Sequence, residues 1–168
     1  MKTGISLALG LSILFSALPA IAVDGVIEIN QASVLANGGF PFVANGGSYR
    51  LTSNLTVPNG STTAIALSGS SLDLNGFTIS GPAVCSRRDY YNATTTTCTN
   101  VGSGIGVQVD LFAGGKVSNG RITGFGNVGI SGGSSTVPLR IEGVQIDNNA
   151  QGGIALANGV LRDSAVTN

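Results

Sequence analysis

The sequence contains no histidine, no tryptophan and only two cysteines among its 168 residues. Without histidine the commonest general base and metal ligand is missing, and two cysteines alone cannot complete a tetrahedral zinc site. Charged residues make up 10% of the chain, against about a quarter in an ordinary globular protein. No basic cluster of the kind that holds nucleic acid is present. Low charge does not mean disorder here, because Val, Ile, Leu and Phe are plentiful and regularly spaced. Glycine is the abundant residue, with 26 copies, and it punctuates that apolar pattern.

The long apolar run, residues 5–18, stands at the N-terminus behind the single charge of Lys2, and Pro19, Ala20 and Ala22 follow it. This pattern reads as a secretory signal peptide over residues 1–22. It is short of the roughly 18–20 residues a span requires, and no basic stop-transfer cluster follows. The expected location is therefore secreted, periplasmic or cell-surface, with no membrane span after signal removal. Losing Lys2 leaves seven basic residues of the original eight against eight acidic ones, a net charge of −1. That balance offers nothing to nucleic acid or an anionic membrane. Cys85 and Cys98, at the ends of CSRRDYYNATTTTC, read as a disulfide closing a short loop in an oxidising compartment. No metal and no cofactor is expected.

Repeats decide the architecture. Gly-Ile steps recur at GIGV from Gly104, GISG from Gly129 and GIAL from Gly153, with AIAL at Ala64 as a fourth copy. The spacing is near 24 residues once the cysteine segment is excised. A second set of apolar pairs runs in phase: Leu74 with Ile79, Val117 with Ile122, Ile141 with Ile146, and Leu161 with Val166. Turn-formers and polar residues lie between the members of each pair, among them the Asn75-Gly76 step of LDLNGFTISG. Such a unit is too short and too Gly-rich for a helical hairpin, and reads as short strands joined by tight bends. Stacked at one strand spacing, the units make a parallel β-helix. Leu74, Val117, Ile141 and Leu161 are expected to form one inward column, and Ile79, Ile122, Ile146 and Val166 another. An antiparallel sandwich would alternate similarly but would not repeat in phase.

Asn30, QASVLA and Asn37-Gly38 predict a short helix with an Asn N-cap and a Gly stop, Ile29 and Val34 forming a hydrophobic staple. Laid across the first coil, this helix would cover an open strand edge, with Phe40 and Phe42 beneath it. The division expected is a signal peptide at 1–22, an N-terminal cap and first coil at 23–60, and β-helix coils at 61–168 with a disulfide-closed insertion at 82–103. The last repeat stops at AVTN without a cap. The expectation is that further coils follow or that the open end self-associates.

DGVIEINQASVLANGG, GSYRLTSNLTVPNGSTTAIALSG and LDLNGFTISGP together resemble secreted bacterial right-handed parallel β-helix repeat proteins of the pectin-lyase-like superfamily. The resemblance implies a right-handed solenoid, all-β, and a link to carbohydrate. It does not fix an activity, because that superfamily joins lyases, hydrolases, epimerases and tailspikes.

The residues supply no catalytic set. Hydrolases of that superfamily carry clustered aspartates, one adjacent pair among them, with a histidine and an Arg-x-Lys motif nearby, and this chain has none of the three. Its lyases use calcium held by several acidic residues with an Arg or Lys as base. Arg121, Arg140 and Arg162 have few acidic neighbours in sequence. Glu142 and Arg162 are expected to face each other in successive coils as a solvent-exposed ion pair. Asn148 and Asn168 are expected to form a structural ladder. The candidate ligand-binding residues are Arg87, Arg88, Tyr90 and Tyr91 in the cysteine segment, where aromatic faces and guanidinium forks suit sugar rings or acidic polysaccharide. The function expected is an exported, non-catalytic module presenting a surface for polysaccharide or cell-envelope glycan. The alternatives are the N-terminal part of a polysaccharide lyase whose catalytic coils follow, and a structural stalk.

Overall fold

The computed structural model describes residues 25–90, 93–132 and 136–167, with backbone alone for 87–90 and 93–95. The expected signal segment, Tyr91 and Asn168 lie outside the described residues. The chain winds into an all-β parallel solenoid of about five coils. Each coil passes through three faces. Face A comprises 42–45, 65–68, Val107–Val109, Val128–Gly132 and Gly152–Leu156. Face B comprises 48–51, 71–73, 115–118, 139–142 and Gly159–Arg162, preceded by a rung at Val26–Ile29. Face C comprises Leu55–Thr56, Thr78–Ser80, 121–123, 145–147 and Ala165–Thr167.

Strands on each face pair in parallel with those of the coils before and after. Residues at one register position therefore stack, and apolar ones stack inward. On face C the column Leu55, Ile79, Ile122, Ile146 and Val166 is the one the sequence spacing predicts, extended by Leu55. Leu55, Ile79, Ile122 and Ile146 are fully buried, each contributing about 1.5–3 kcal/mol of apolar burial.

The other two columns correct the expected register. On face B it is Leu72, not Leu74, that pairs with Val117 and so with Ile141 and Leu161. Seven positions separate Leu72 from Ile79, two more than separate Val117 from Ile122. The extra pair lies in the bend, where Leu74 turns inward and is itself buried. Gly120 leaves the room, since a Cβ there would overlap that of Leu74. On face A, Val107 rather than Ile105 stacks between Ile65 and Ile130. GIGV contains two Gly-apolar steps, and the second is the one in register.

The bend from face B to face C depends on the left-handed conformation. Asn75, Asn119, Gly143 and Asp163 take φ values of 51°, 58°, 62° and 47° there. Asn and Asp tolerate this region because their short polar side chains hydrogen-bond locally. Asn75 Nδ2 reaches the Leu51 carbonyl at 3.2 Å and Asn119 Nδ2 reaches Asp73 Oδ1 at 3.1 Å.

The predicted helix forms over Gln31–Ala36. Asn30 Oδ1 accepts from Ser33 N–H, and Ser33 Oγ accepts from Asn30 N–H, a reciprocal capping box. Ile29 and Val34 are both fully buried, as the staple requires. Gln31 does more than start the helix. Its amide Oε1 accepts from Thr56 N–H at 2.9 Å and its Nε2 donates to the Thr56 carbonyl at 3.2 Å. The side chain thus pairs the edge of strand Leu55–Thr56 as a peptide group would.

Between coils 2 and 3 the cysteine segment is an antiparallel hairpin, Val84–Tyr90 with Ala93–Thr99, not an irregular loop. Cys85 and Cys98 face each other across it and form the expected disulfide.

Candidate functional site

Charge is sorted by face. Face B carries Glu28, Arg50, Asp73, Lys116, Arg140, Glu142 and Arg162, while the strands of face A contain no charged residue at all. Strand register places Ser118, Glu142 and Arg162 in line with Asp73. The expected column of Leu74 with Val117, Ile141 and Leu161 would instead put Lys116, Arg140 and Val160 level with Asp73, and the same two-residue bend that displaced Leu74 overturns it. Glu142 does lie opposite Arg162, but its close ion pair is with Lys116 Nζ at 2.7 Å. The hydrogen bond from Lys116 holds the Glu142 carboxyl below its ordinary range against a small desolvation effect. Both partners are partly exposed, so this is a surface ladder of small energetic weight.

Among the described residues, the one enclosed carboxylate is on face C. Asp147 is 6% exposed, and burial alone would raise its pKa. Arg121, Thr123 and Gln145 overcome that, so the carboxyl lies below its ordinary range. Arg121 Nε and Nη2 grip the two oxygens at 2.9 and 2.7 Å. Thr123 Oγ1 donates at 2.7 Å, Gln145 Nε2 at 2.9 Å and Asn148 Nδ2 at 3.3 Å. Arg121 and Thr123 tie this carboxylate of coil 4 to coil 3, while Gln145 and Asn148 hold it from within its own coil. Asn148 serves this cluster; its expected ladder partner, Asn168, lies outside the described residues. Glu142 and Asp147 share a coil but point from different faces, so they do not flank a common bond as glycoside hydrolysis requires. Because folding lowers the Asp147 pKa, its stabilisation is present above the ordinary carboxylate value and is lost as pH falls through the folded value. Asp147→Asn should cost about 1–3 kcal/mol near neutrality and flatten the fall in Tm below about pH 4. An unchanged acid limb in thermal melts would show that this pair is not linked to folding.

Face A carries a groove on its outer side. Val43, Ala66, Gln108 and Ser131 stack in register along its outer side. They floor a groove of about 540 Å³ whose walls include Ser68, Asp110 and Leu111. Asp110 Oδ2 accepts from Ser68 Oγ at 3.1 Å and Oδ1 accepts from Phe112 N–H at 3.1 Å. This turn presents Leu111 and Phe112 to solvent, 59% and 84% exposed. Val43, at 63%, lies on the floor. Sequence reading missed this groove. Its signal was the outward column of small uncharged residues, visible only once Val107 replaces Ile105 in the register.

The hairpin leaves from the opposite corner of face A, between coils 2 and 3. Arg87, Arg88 and Tyr90 are in its strands, paired with Thr96, Thr95 and Ala93. The disulfide rests near the turn after coil 4, with Cys85 Sγ 3.7 Å from the Asn148 carbonyl and Cys98 Sγ 3.9 Å from that of Ala150.

Among the described residues no group of three or more His, Cys, Asp or Glu could hold a metal ion, and no helix is long and apolar enough to cross a membrane. No protein-family model, no curated protein and no solved structure matches the chain.

Proposed function

We propose that the chain is an exported, non-catalytic β-solenoid module whose face A contacts glycan of a cell envelope or extracellular matrix. The observation that carries this reading is the groove across coils 1 to 4, with its floor of small polar and apolar side chains, solvent-facing Leu111 in its wall and solvent-facing Phe112 on the turn just beyond it. Its volume falls within the range of small-molecule and oligosaccharide sites, and an exposed aromatic ring beside hydroxyl and amide groups suits a sugar face. The disulfide is compatible with an oxidising, extracellular setting.

Glycan-array binding tests the reading. Leu111→Ala with Phe112→Ala should weaken the retained glycan at least tenfold while leaving Tm unchanged. Failure of the parent protein to retain any glycan would sink it. Tyr90→Ala with Tyr91→Ala asks whether the hairpin contributes; unchanged binding would assign recognition to the groove alone. New ultraviolet absorbance from a uronic-acid polymer with calcium would replace the module by a lyase.

A further inference from the structure

We infer that the groove on face A takes an uncharged, linear glycan and rejects uronic-acid chains; this rests on the glycan-contact reading above. The groove crosses coils 1 to 4, three steps of about 4.8 Å, so its floor runs roughly 14 Å along the stack. Its stacked floor, Val43, Ala66, Gln108 and Ser131, offers an amide and a hydroxyl but no cation.

Among the described lining residues the single acidic or basic side chain is that of Asp110, in the groove wall. No Lys or Arg lies on the strands of that face to offset it. A chain bearing one carboxylate per sugar would bring like charge against Asp110 in a partly desolvated groove with nothing to pair it. Lys116, Arg140 and Arg162 lie on face B around Glu142, and Arg121 is held on face C by Asp147.

An extended peptide is the other linear ligand of this width. Peptides that bind sheets do so through a free strand edge, and on this face the main-chain groups of neighbouring coils are already paired with each other. Recognition is left to side chains, and the polar ones on offer are neutral donors and acceptors matched to hydroxyl-rich ligands.

Isothermal titration of the disulfide-intact chain should compare cello-, manno- and chito-oligosaccharides with oligogalacturonate and oligoalginate of equal length. The expected result is binding of at least one neutral series and at least tenfold weaker binding of both acidic ones. Ala66→Arg should abolish neutral binding, and Gln108→Ala, at an exposed position, should weaken it several-fold with unchanged Tm. Preference for uronates, lost on Arg140→Ser or Arg162→Ser, would overturn this inference but leave glycan contact standing. Neutral binding untouched by Ala66→Arg and Gln108→Ala would remove it from the groove. Retention of no glycan at all would overturn the parent reading.

Discussion

Replacing Ile122 by Ala should lower the unfolding free energy by about 3–4 kcal/mol, read as a shift of the urea midpoint. Ile122 is fully buried with Ile79 on one side and Ile146 on the other, both also fully buried. A cavity there is bounded by two coils whose spacing is fixed by paired main chains, so the walls cannot collapse inward. Val166→Ala removes apolar volume from the same column, but Val166 is 40% exposed. That change should cost well under 1 kcal/mol, since little water-excluded contact is lost. Equal effects at the two positions would contradict the packing gradient along the stack.

A larger loss of stability is expected from a smaller chemical change, Gly126→Ala. A Cβ on Gly126 would overlap the carbonyl of Gly60 and the amide of Gly102, both main-chain groups. These belong to the corner between faces C and A, where Gly102 N–H donates to the Gly126 carbonyl at 3.2 Å and Gly104 N–H to that of Gly60 at 2.9 Å. No rotamer relieves a clash with backbone, so the coils must part and these bonds lengthen. The expected cost exceeds about 4 kcal/mol, in the range reserved for overpacked or network-breaking changes. Gly76→Ala is the comparison. Gly76 has φ +80° with open space around it, so only its conformational preference is at stake, about 1–2 kcal/mol. Denaturation of the two variants by urea should rank them in that order, and the reverse order would refute the close approach.

The coiled architecture was readable because inward positions repeat the same residue class in every coil, and the face C column emerged with its members correct. The capped helix was equally readable, since Asn30, Ile29 and Val34 each have a local physical role that composition betrays. Register on the other two faces was not. Leu72 and Leu74 are both apolar and both buried, and only the bend at Asn75 decides which stacks on Val117. Ile105 and Val107 pose the same ambiguity within GIGV. Outward residues follow register blindly, so a two-residue slip mispaired Asp73 and hid the groove. The Asp147 cluster was missed for a related reason. Arg121, Thr123 and Asp147 meet only across adjacent coils, and nothing in the local sequence of either strand marks them as partners.

The disulfide hairpin changes how such a stack comes apart. Each coil of a solenoid ordinarily touches only its immediate neighbours, so opening proceeds rung by rung like a one-dimensional chain of independent links. Here the segment that leaves after coil 2 is braced against the turn that follows coil 4, through Cys85 at Asn148 and Cys98 at Ala150. A link is thereby made between rungs that are not adjacent, skipping the turn after coil 3. Fraying that reaches coil 4 loses this contact on the way, so the hairpin adds a coupling between coils 2 and 4 to the one each has with its neighbour.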